Sequence, residues 1–234
     1  MFSATVLTIF PDMFPGPLGQ SLSGKALEKG AWSLDVVDIR SFAEDVHKTV
    51  DDTPFGGGAG MVMKPDIMSK AIEKHPPKGK ILFLSPRGKT LTQDMVKDLS
   101  QEENLTLVCG RYEGLDQRVI DYYEMEEVSI GDYVLSGGEL GAMILLDACV
   151  RLLPGVMGND QTADEESFEN NLLEYPHYTR PATWETPAGD MVDVPDILKS
   201  GHHKNIEEWR KLQSENLTEK RRPDLWEKYK AEKS

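Results

Sequence analysis

The strongest constraint on how this chain folds is an alternation of short, β-branched apolar runs with helical stretches, in which the runs stop at loops rich in glycine or proline. Ala4-Thr-Val-Leu-Thr-Ile-Phe10 is closed by Pro11, and Trp32 to Ile39 follows it. Lys80-Ile-Leu-Phe-Leu-Ser85, Leu105-Thr-Leu-Val-Cys109 and the shorter Glu127-Val-Ser-Ile130 continue the pattern, and all suit buried strands. Between and after them, Pro65 to about Lys74, Thr92 to Ser100 with a threonine cap, Leu115 to Tyr123 and Glu139 to Leu153 read as helices. Such alternation predicts an α/β fold on a parallel sheet. Ser85-Pro-Arg-Gly88, Gly110-Arg-Tyr-Glu-Gly114 and Gly131-Asp-Tyr-Val-Leu-Ser-Gly-Gly138 then fall just beyond strand ends. That is where open α/β sheets hold ligands, so these loops are the first candidates for a small-molecule site.

A chain of 234 residues has room for one large domain and a small second one. From Gly158 to Asn171 the sequence turns polar and acidic without periodicity, which marks a linker or lid. Helical spacing resumes at Ile206 to Leu212, and Pro223-Asp-Leu-Trp-Glu-Lys-Tyr229 opens another helix with its proline. The expected organisation is a ligand-binding domain over residues 1–158, a linker over 159–172 and a small helical domain over 173–234. No apolar run approaches the roughly 20 residues of a membrane span, and the first residues lack the pattern of a signal peptide. The expectation is a cytoplasmic protein with no membrane partner.

Charge argues against nonspecific binding to a polyanion, because the net charge is −14. The imbalance is local, however. Residues 190–234 carry ten Lys and Arg against ten Asp and Glu, and the whole acidic excess, 16 against 30, lies before them. Lys199, Lys204, Arg210, Lys211, Lys220, Arg221 and Arg222 are singly no more than solvated charges, but together they form the one basic cluster available to an RNA backbone.

Several tempting motifs fail on spacing. Gly88-Lys89-Thr90 is not a phosphate-binding P-loop, since Phe83 stands where the pattern needs glycine. Gly56 to Gly60 follows Asp-Asp-Thr-Pro rather than a strand, so it is not a dinucleotide fingerprint. Turns explain some of these glycines, and close approach of backbone to a ligand explains at least one. Cys109 and Cys149 have no metal or disulfide spacing, and the adjacent His202 and His203 cannot share one helix face around a metal.

The run Gly131-Asp-Tyr-Val-Leu-Ser-Gly-Gly-Glu-Leu140 places backbone donors and acceptors beside small residues, a setting suited to a flat base such as adenine. With Thr49-Val-Asp-Asp-Thr-Pro-Phe-Gly-Gly-Gly-Ala-Gly-Met61, Leu84-Ser-Pro-Arg-Gly88, Cys109-Gly-Arg-Tyr-Glu-Gly114, Pro154-Gly-Val-Met-Gly158 and Pro176-His-Tyr-Thr-Arg-Pro181, it resembles the TrmD family of tRNA (guanine-N1)-methyltransferases, members of the knotted SPOUT class. These runs occur in the family's order and span most of the chain. The resemblance implies a SPOUT-type knotted parallel sheet flanked by helices, with a trefoil knot near residues 84–142, a rare exception to the rule that chains do not thread themselves. It further implies a homodimer with active sites at the subunit interface, a tRNA substrate, dependence on magnesium, and S-adenosyl-L-methionine held by the knot loops. By motif, the cofactor contacts would be Leu84, Ser85, Pro86, Gly110, Tyr112, Glu113, Ile130, Gly131, Asp132, Tyr133, Val134, Leu135, Gly137 and Gly138.

The chemistry can be argued from the substrate. Guanine N1 carries a proton at neutral pH and becomes nucleophilic only when a positioned base removes it. Negative charge developing on O6 calls for a fixed cation, which an arginine supplies. The resemblance puts Arg151 in the second role. In the first, the family has an aspartate before a Ser-Phe pair, whereas this chain has Glu166 before Ser167-Phe168. The longer carboxylate has the same chemistry, with Asp164 as the alternative base. Ser167, Asp51, His177, Thr179 and Arg180 are the expected substrate contacts, Asp51 because a carboxylate matches the N1 and N2 edge of guanine, and His177, Thr179 and Arg180 as phosphate contacts. No carboxylate spacing identifies a magnesium site. The alternatives are a knotted enzyme with another target, such as a ribose 2′-hydroxyl, and a noncatalytic RNA-binding protein.

Overall fold

The computed structural model describes residues 1–157 and 167–233, so Asp164, Glu166 and most of the expected linker lie outside the described residues. The chain divides into two compact units, Met1–Asn159 and Asp160–Ser234.

In the first unit, the strands are β1 (Phe2–Thr8), β2 (Trp32–Asp38), β3 (Asp51–Asp52), β4 (Val62–Met63), β5 (Lys80–Thr90), β6 (Asn104–Cys109) and β7 (Glu126–Ser129). The helices are α1 (Ser21–Glu28), α2 (Pro65–Lys74), α3 (Gln93–Ser100), α4 (Gln117–Tyr122) and α5 (Gly138–Val150). Five strands form one sheet in the order β2-β1-β6-β5-β7, and each adjacent pair is parallel. Successive side chains of a strand point to opposite faces. Leu82 and Leu84 accordingly join the core beneath α3 and α5, while Phe83 between them joins the core beneath α2 and α4. With both faces covered, the strands can be as apolar as the sequence makes them.

Most of the expected elements are present within a residue or two. Thr92 caps α3 through a hydrogen bond its hydroxyl accepts from the Met95 amide. Helix α1 was not expected, because its buried face is small rather than apolar: Ser23, Gly24 and Ala26. A Cβ on Gly24 would lie 2.4 Å from the backbone of Gly19, so the helix is seated by close approach of main chains. The base of the glycine-rich segment, expected to be irregular, closes as an antiparallel pair between Asp51–Asp52 and Met63–Val62.

The main departure concerns β5. It was expected to end at Ser85, yet it pairs with β7 through Leu84, loops outward, and pairs with β7 again at Lys89 and Thr90. Gly88 makes the return possible. A Cβ there would stand 2.3 Å from the backbone of Glu127 and Val128, so only a residue without a side chain lets the two segments pass at this distance.

The second unit contains a β8–β9 hairpin (Thr183–Glu185, Met191–Asp193) and helices α6 (Asp196–Lys199), α7 (His203–Arg221) and α8 (Pro223–Glu232). Leu225 and Tyr229 of α8 are buried, as are Ser214 and Thr218 of α7. The Thr218 hydroxyl donates to the Ser214 carbonyl at 2.7 Å and accepts from the Leu173 amide at 2.8 Å, which ties the incoming chain to α7. The hairpin adds strand structure to a segment expected to be helical.

The Gly88→Ala substitution is expected to destabilise the first unit by about 2 kcal/mol or more, because the added methyl meets backbone that has no rotamer with which to yield. Urea unfolding checks this, and an unchanged midpoint would show that the passage is looser than described.

Candidate active site

The irregular stretch within β5 and the loops that follow β6 and β7 enclose a cavity of about 290 Å³. Its walls include Leu84, Ser85, Pro86 and Arg87 from the first loop, Gly110 to Gly114 from the second, and Ile130, Gly131 and Tyr133 to Gly138 from the third. The loops share the space because their main chains nearly touch. The Gly138 amide donates to the Gly110 carbonyl at 2.8 Å, and a Cβ on Gly138 would lie 2.9 Å from Cys109 Cα. A Cβ on Gly110 would meet the Phe83 ring at 2.8 Å. Gly131 (φ 142°) and Gly114 (φ 113°) adopt left-handed backbone that suits glycine, and Tyr112 holds φ 59° without that freedom. Non-glycine residues in such conformations cost about 1–3 kcal/mol and cluster at ligand sites.

Every cofactor position expected from the sequence lines this cavity except Asp132, which is not among its walls. The walls also contain residues that were not expected, chiefly Arg111, Ser136 and Arg87. Arg87 reaches Glu127 at 3.0 Å and Gln117 at 3.2 Å. Arg111 belongs to a buried network. Its Nε donates to Glu139 Oε2 at 2.8 Å, its Nη1 donates to the Ser136 carbonyl at 3.1 Å, and its guanidinium lies 4.4 Å from the centre of the Phe10 ring. Glu139 is fully buried, and its Oε1 accepts from the Thr8 hydroxyl at 2.8 Å. Nothing in the spacing of Arg111 and Glu139 announced this pair.

The glycine-rich segment is fastened to the second loop. The Glu113 amide donates to the Met61 carbonyl, and the Met63 amide to the Gly114 carbonyl, both at 2.9 Å. A Cβ on Gly60 would lie 2.4 Å from the Glu113 carboxylate, so Gly60 is a point of close approach, whereas Gly56, Gly57 and Gly58 stand in open space with positive φ. Asp51 lies at the foot of this segment on β3.

Arg151 caps the carboxyl end of α5 and is half-buried. In the second unit, the Ser167 hydroxyl accepts from the Glu174 amide at 3.1 Å, and His177 Nε2 lies 2.8 Å from the Glu174 carboxylate. Thr179 and Arg180 are exposed. Tyr175 packs beside His177 with ring centres 4.9 Å apart and lies beneath the Arg210 guanidinium at 4.8 Å. Among the described residues no group of three or more His, Cys, Asp or Glu is placed to hold a metal, and no helix is long and apolar enough to cross a membrane.

A parallel sheet whose strand-end loops pack main chain against main chain around a pocket defines an α/β protein with a ligand site beyond its strand ends. The SPOUT-type knotted form of that fold follows from the family the chain matches. The family model described as tRNA (Guanine-1)-methyltransferase TrmD matches residues 2–228. A tRNA (guanine-N(1)-)-methyltransferase of Rhodospirillum rubrum is 60% identical over 97% of this chain and 94% of its own length. Proteins of the same name from Novosphingobium aromaticivorans and Brucella ovis are each 57% identical over 97% of this chain and 92% of theirs. The chain belongs to the tRNA (guanine-1)-methyltransferase family.

Both cysteines lie under this architecture, Cys109 at the end of β6 and Cys149 on α5. Burial disfavours the thiolate, raising Cys149 to about 12 and Cys109 well above its ordinary value, the latter with help from the nearby Glu139 charge. A raised thiol pKa stabilises the folded state below the unfolded thiol's value, and that contribution fades as pH rises toward 12. At about pH 8 the folded protein should resist a thiol-specific disulfide reagent while the denatured chain reacts fully, since the thiolate is the nucleophile. Rapid reaction of the folded protein would show that the β6 end opens to solvent.

Proposed function

We propose that this protein methylates N1 of the guanosine immediately 3′ of the anticodon in tRNA, position 37, with S-adenosyl-L-methionine as methyl donor. The observation that carries the reading is the cavity formed by the loops at residues 84–88, 110–114 and 130–138 in a chain of this family. Its properties fit the donor. Leu84, Val128 and Ile130 offer an apolar surface to a flat base, the loop backbone offers hydrogen-bonding groups to its edge, and the glycines leave space where side chains would stand. When bound, S-adenosyl-L-methionine supplies an electrophilic methyl group whose sulfur departs as a neutral thioether.

The remaining steps belong to the chain's own residues. In this reading a carboxylate, assigned to Glu166 with Asp164 as the alternative, accepts the N1 proton of guanine as the N1 lone pair forms its new bond. Arg151 holds the negative charge that develops on O6, and its planar fork keeps the base oriented. Asp51 reads the N1 and N2 edge, Gly60 lets the glycine-rich segment close on Glu113, and Ser167, His177, Thr179 and Arg180 position the RNA. The second unit, whose segment 190–234 is charge-balanced, supplies Lys199, Lys204, Arg210, Lys211, Lys220, Arg221 and Arg222 to the phosphates. Magnesium, expected from the resemblance, enters no step of this proposal.

A second copy of the chain completes the site in this reading. Leu140 and Ile144 stand exposed one turn apart on α5, the helix that Arg151 caps, and such a stripe is suited to burial against a partner.

Labelled methyl transfer to an unmodified tRNA transcript, and to the same transcript with the target guanosine changed to adenosine, tests the assignment. Transfer to the first alone, with the label on base N1 in mass spectra of the digest, is expected. Label on ribose, or binding without transfer, would contradict it. Glu166→Gln should lower turnover by about 10²-fold or more with cofactor affinity kept; full activity would pass the role to Asp164. Arg151→Lys should cost about 10-fold or more, because a point charge does not reproduce the fork, and near-normal turnover would remove Arg151 from the chemistry.

A further inference from the structure

The network behind the cavity wall does more than hold the fold. It runs from the Phe10 amide to the Thr8 hydroxyl at 3.0 Å, from that hydroxyl to Glu139, from Glu139 to Arg111, and from Arg111 to the Ser136 carbonyl. Three segments distant in sequence meet in it: the end of β1, the second loop, and the third loop as it runs into the first turn of α5. Arg111 also packs directly on the third loop's main chain, since a Cβ on Gly137 would stand 2.1 Å from its Nε. The carboxylate has no exposure and the guanidinium little, with side-chain exposures of 0% and 16%. A pair this buried is costly to assemble and more costly to break, because the survivor keeps a charge without a counter-ion.

The sign of the charges gives the pair a second consequence. Arg111 is a cavity-wall residue, and the donor proposed for the cavity is a cation at its sulfonium, whereas the thioether product left after transfer is not. An unneutralised arginine in the wall would repel the first and not the second, and burial lets such repulsion act over several ångströms with little screening. Glu139 cancels it: its Oε2 accepts from Arg111, while its Oε1 accepts from the Thr8 hydroxyl, which fixes the carboxylate that holds the arginine. Resting on the proposed donor, we infer that Glu139 is the positioning residue that sets the cavity's selectivity for the cationic cofactor over its neutral product, acting through Arg111.

The test is calorimetric binding of S-adenosyl-L-methionine and S-adenosyl-L-homocysteine to the full-length protein, read as the ratio of the two Kd values. Glu139→Gln keeps length and keeps an acceptor for Arg111, with the amide turned toward Thr8, but loses the charge. It should weaken the methionine compound about 10-fold and the homocysteine compound by less, shifting the ratio about 3-fold or more against the cation. Removing both charges in Glu139→Gln/Arg111→Gln should bring the ratio back toward that of the unmodified protein, although both ligands bind more weakly. Glu139→Asp keeps the charge and shortens the reach, so both Kd values should rise together. It serves as the measurement if Glu139→Gln does not fold. Leu99→Ala, on the buried face of α3, should lower the melting temperature and leave the ratio alone.

Equal weakening of both ligands by Glu139→Gln, no weakening, a ratio that stays shifted in the double variant, or a ratio that moves in Glu139→Asp would overturn the inference. Failure of the unmodified protein to bind either ligand would instead overturn the cofactor assignment, and the inference with it.

Discussion

The structure depends on main chains passing one another closer than side chains permit. At Gly88 the returning half of β5 meets the backbone of Glu127 and Val128, and at Gly138 the start of α5 meets Cys109 and Gly110. These passages draw three strand-end loops into one place, and the cavity is what remains between them. Its walls combine glycine backbone with apolar and aromatic side chains, and the loops that carry them spring from a sheet buried on both faces. Walls preorganised in this way bind without paying to order themselves.

A site built from loops is unusually legible in sequence, because its residues are contiguous in each loop. The runs at 84–88, 110–114 and 130–138 were readable as strand ends from the apolar segments before them, and the resemblance named their members one by one. What escaped was whatever depended on a distant partner. Arg111 and Glu139 are 28 residues apart, and a charged residue in a loop gives no sign that its counter-ion is buried at the first turn of a helix. Asp132 lies between the wall residues Gly131 and Tyr133 without being one of the walls itself.

The same distinction holds for the fold. Leu82, Phe83 and Leu84 reveal a two-faced strand by composition, and Thr92 reveals a helix start by chemistry. Helix α1 gives neither sign, since its buried side is Ser23, Gly24 and Ala26, chosen for closeness to Gly19 rather than for apolar area. The continuation of β5 beyond Ser85 was hidden because its pairing with β7 resumes only after an irregular loop. The β8–β9 hairpin was hidden because its strands are three residues each, all exposed, with no alternation to read.

The acidic excess lies before residue 190 and is shared by the unit that builds the cavity and the segment that follows it, while residues 190–234 are charge-balanced. The central claim is that the loops at residues 84–88, 110–114 and 130–138 hold the methyl donor. A crystal structure of the protein with S-adenosyl-L-homocysteine measures this directly. The account predicts the nucleoside between Leu84, Ile130 and the Gly137–Gly138 backbone, hydrogen-bonded to main-chain groups of the second and third loops. A ligand bound elsewhere, with those loops empty, would contradict it.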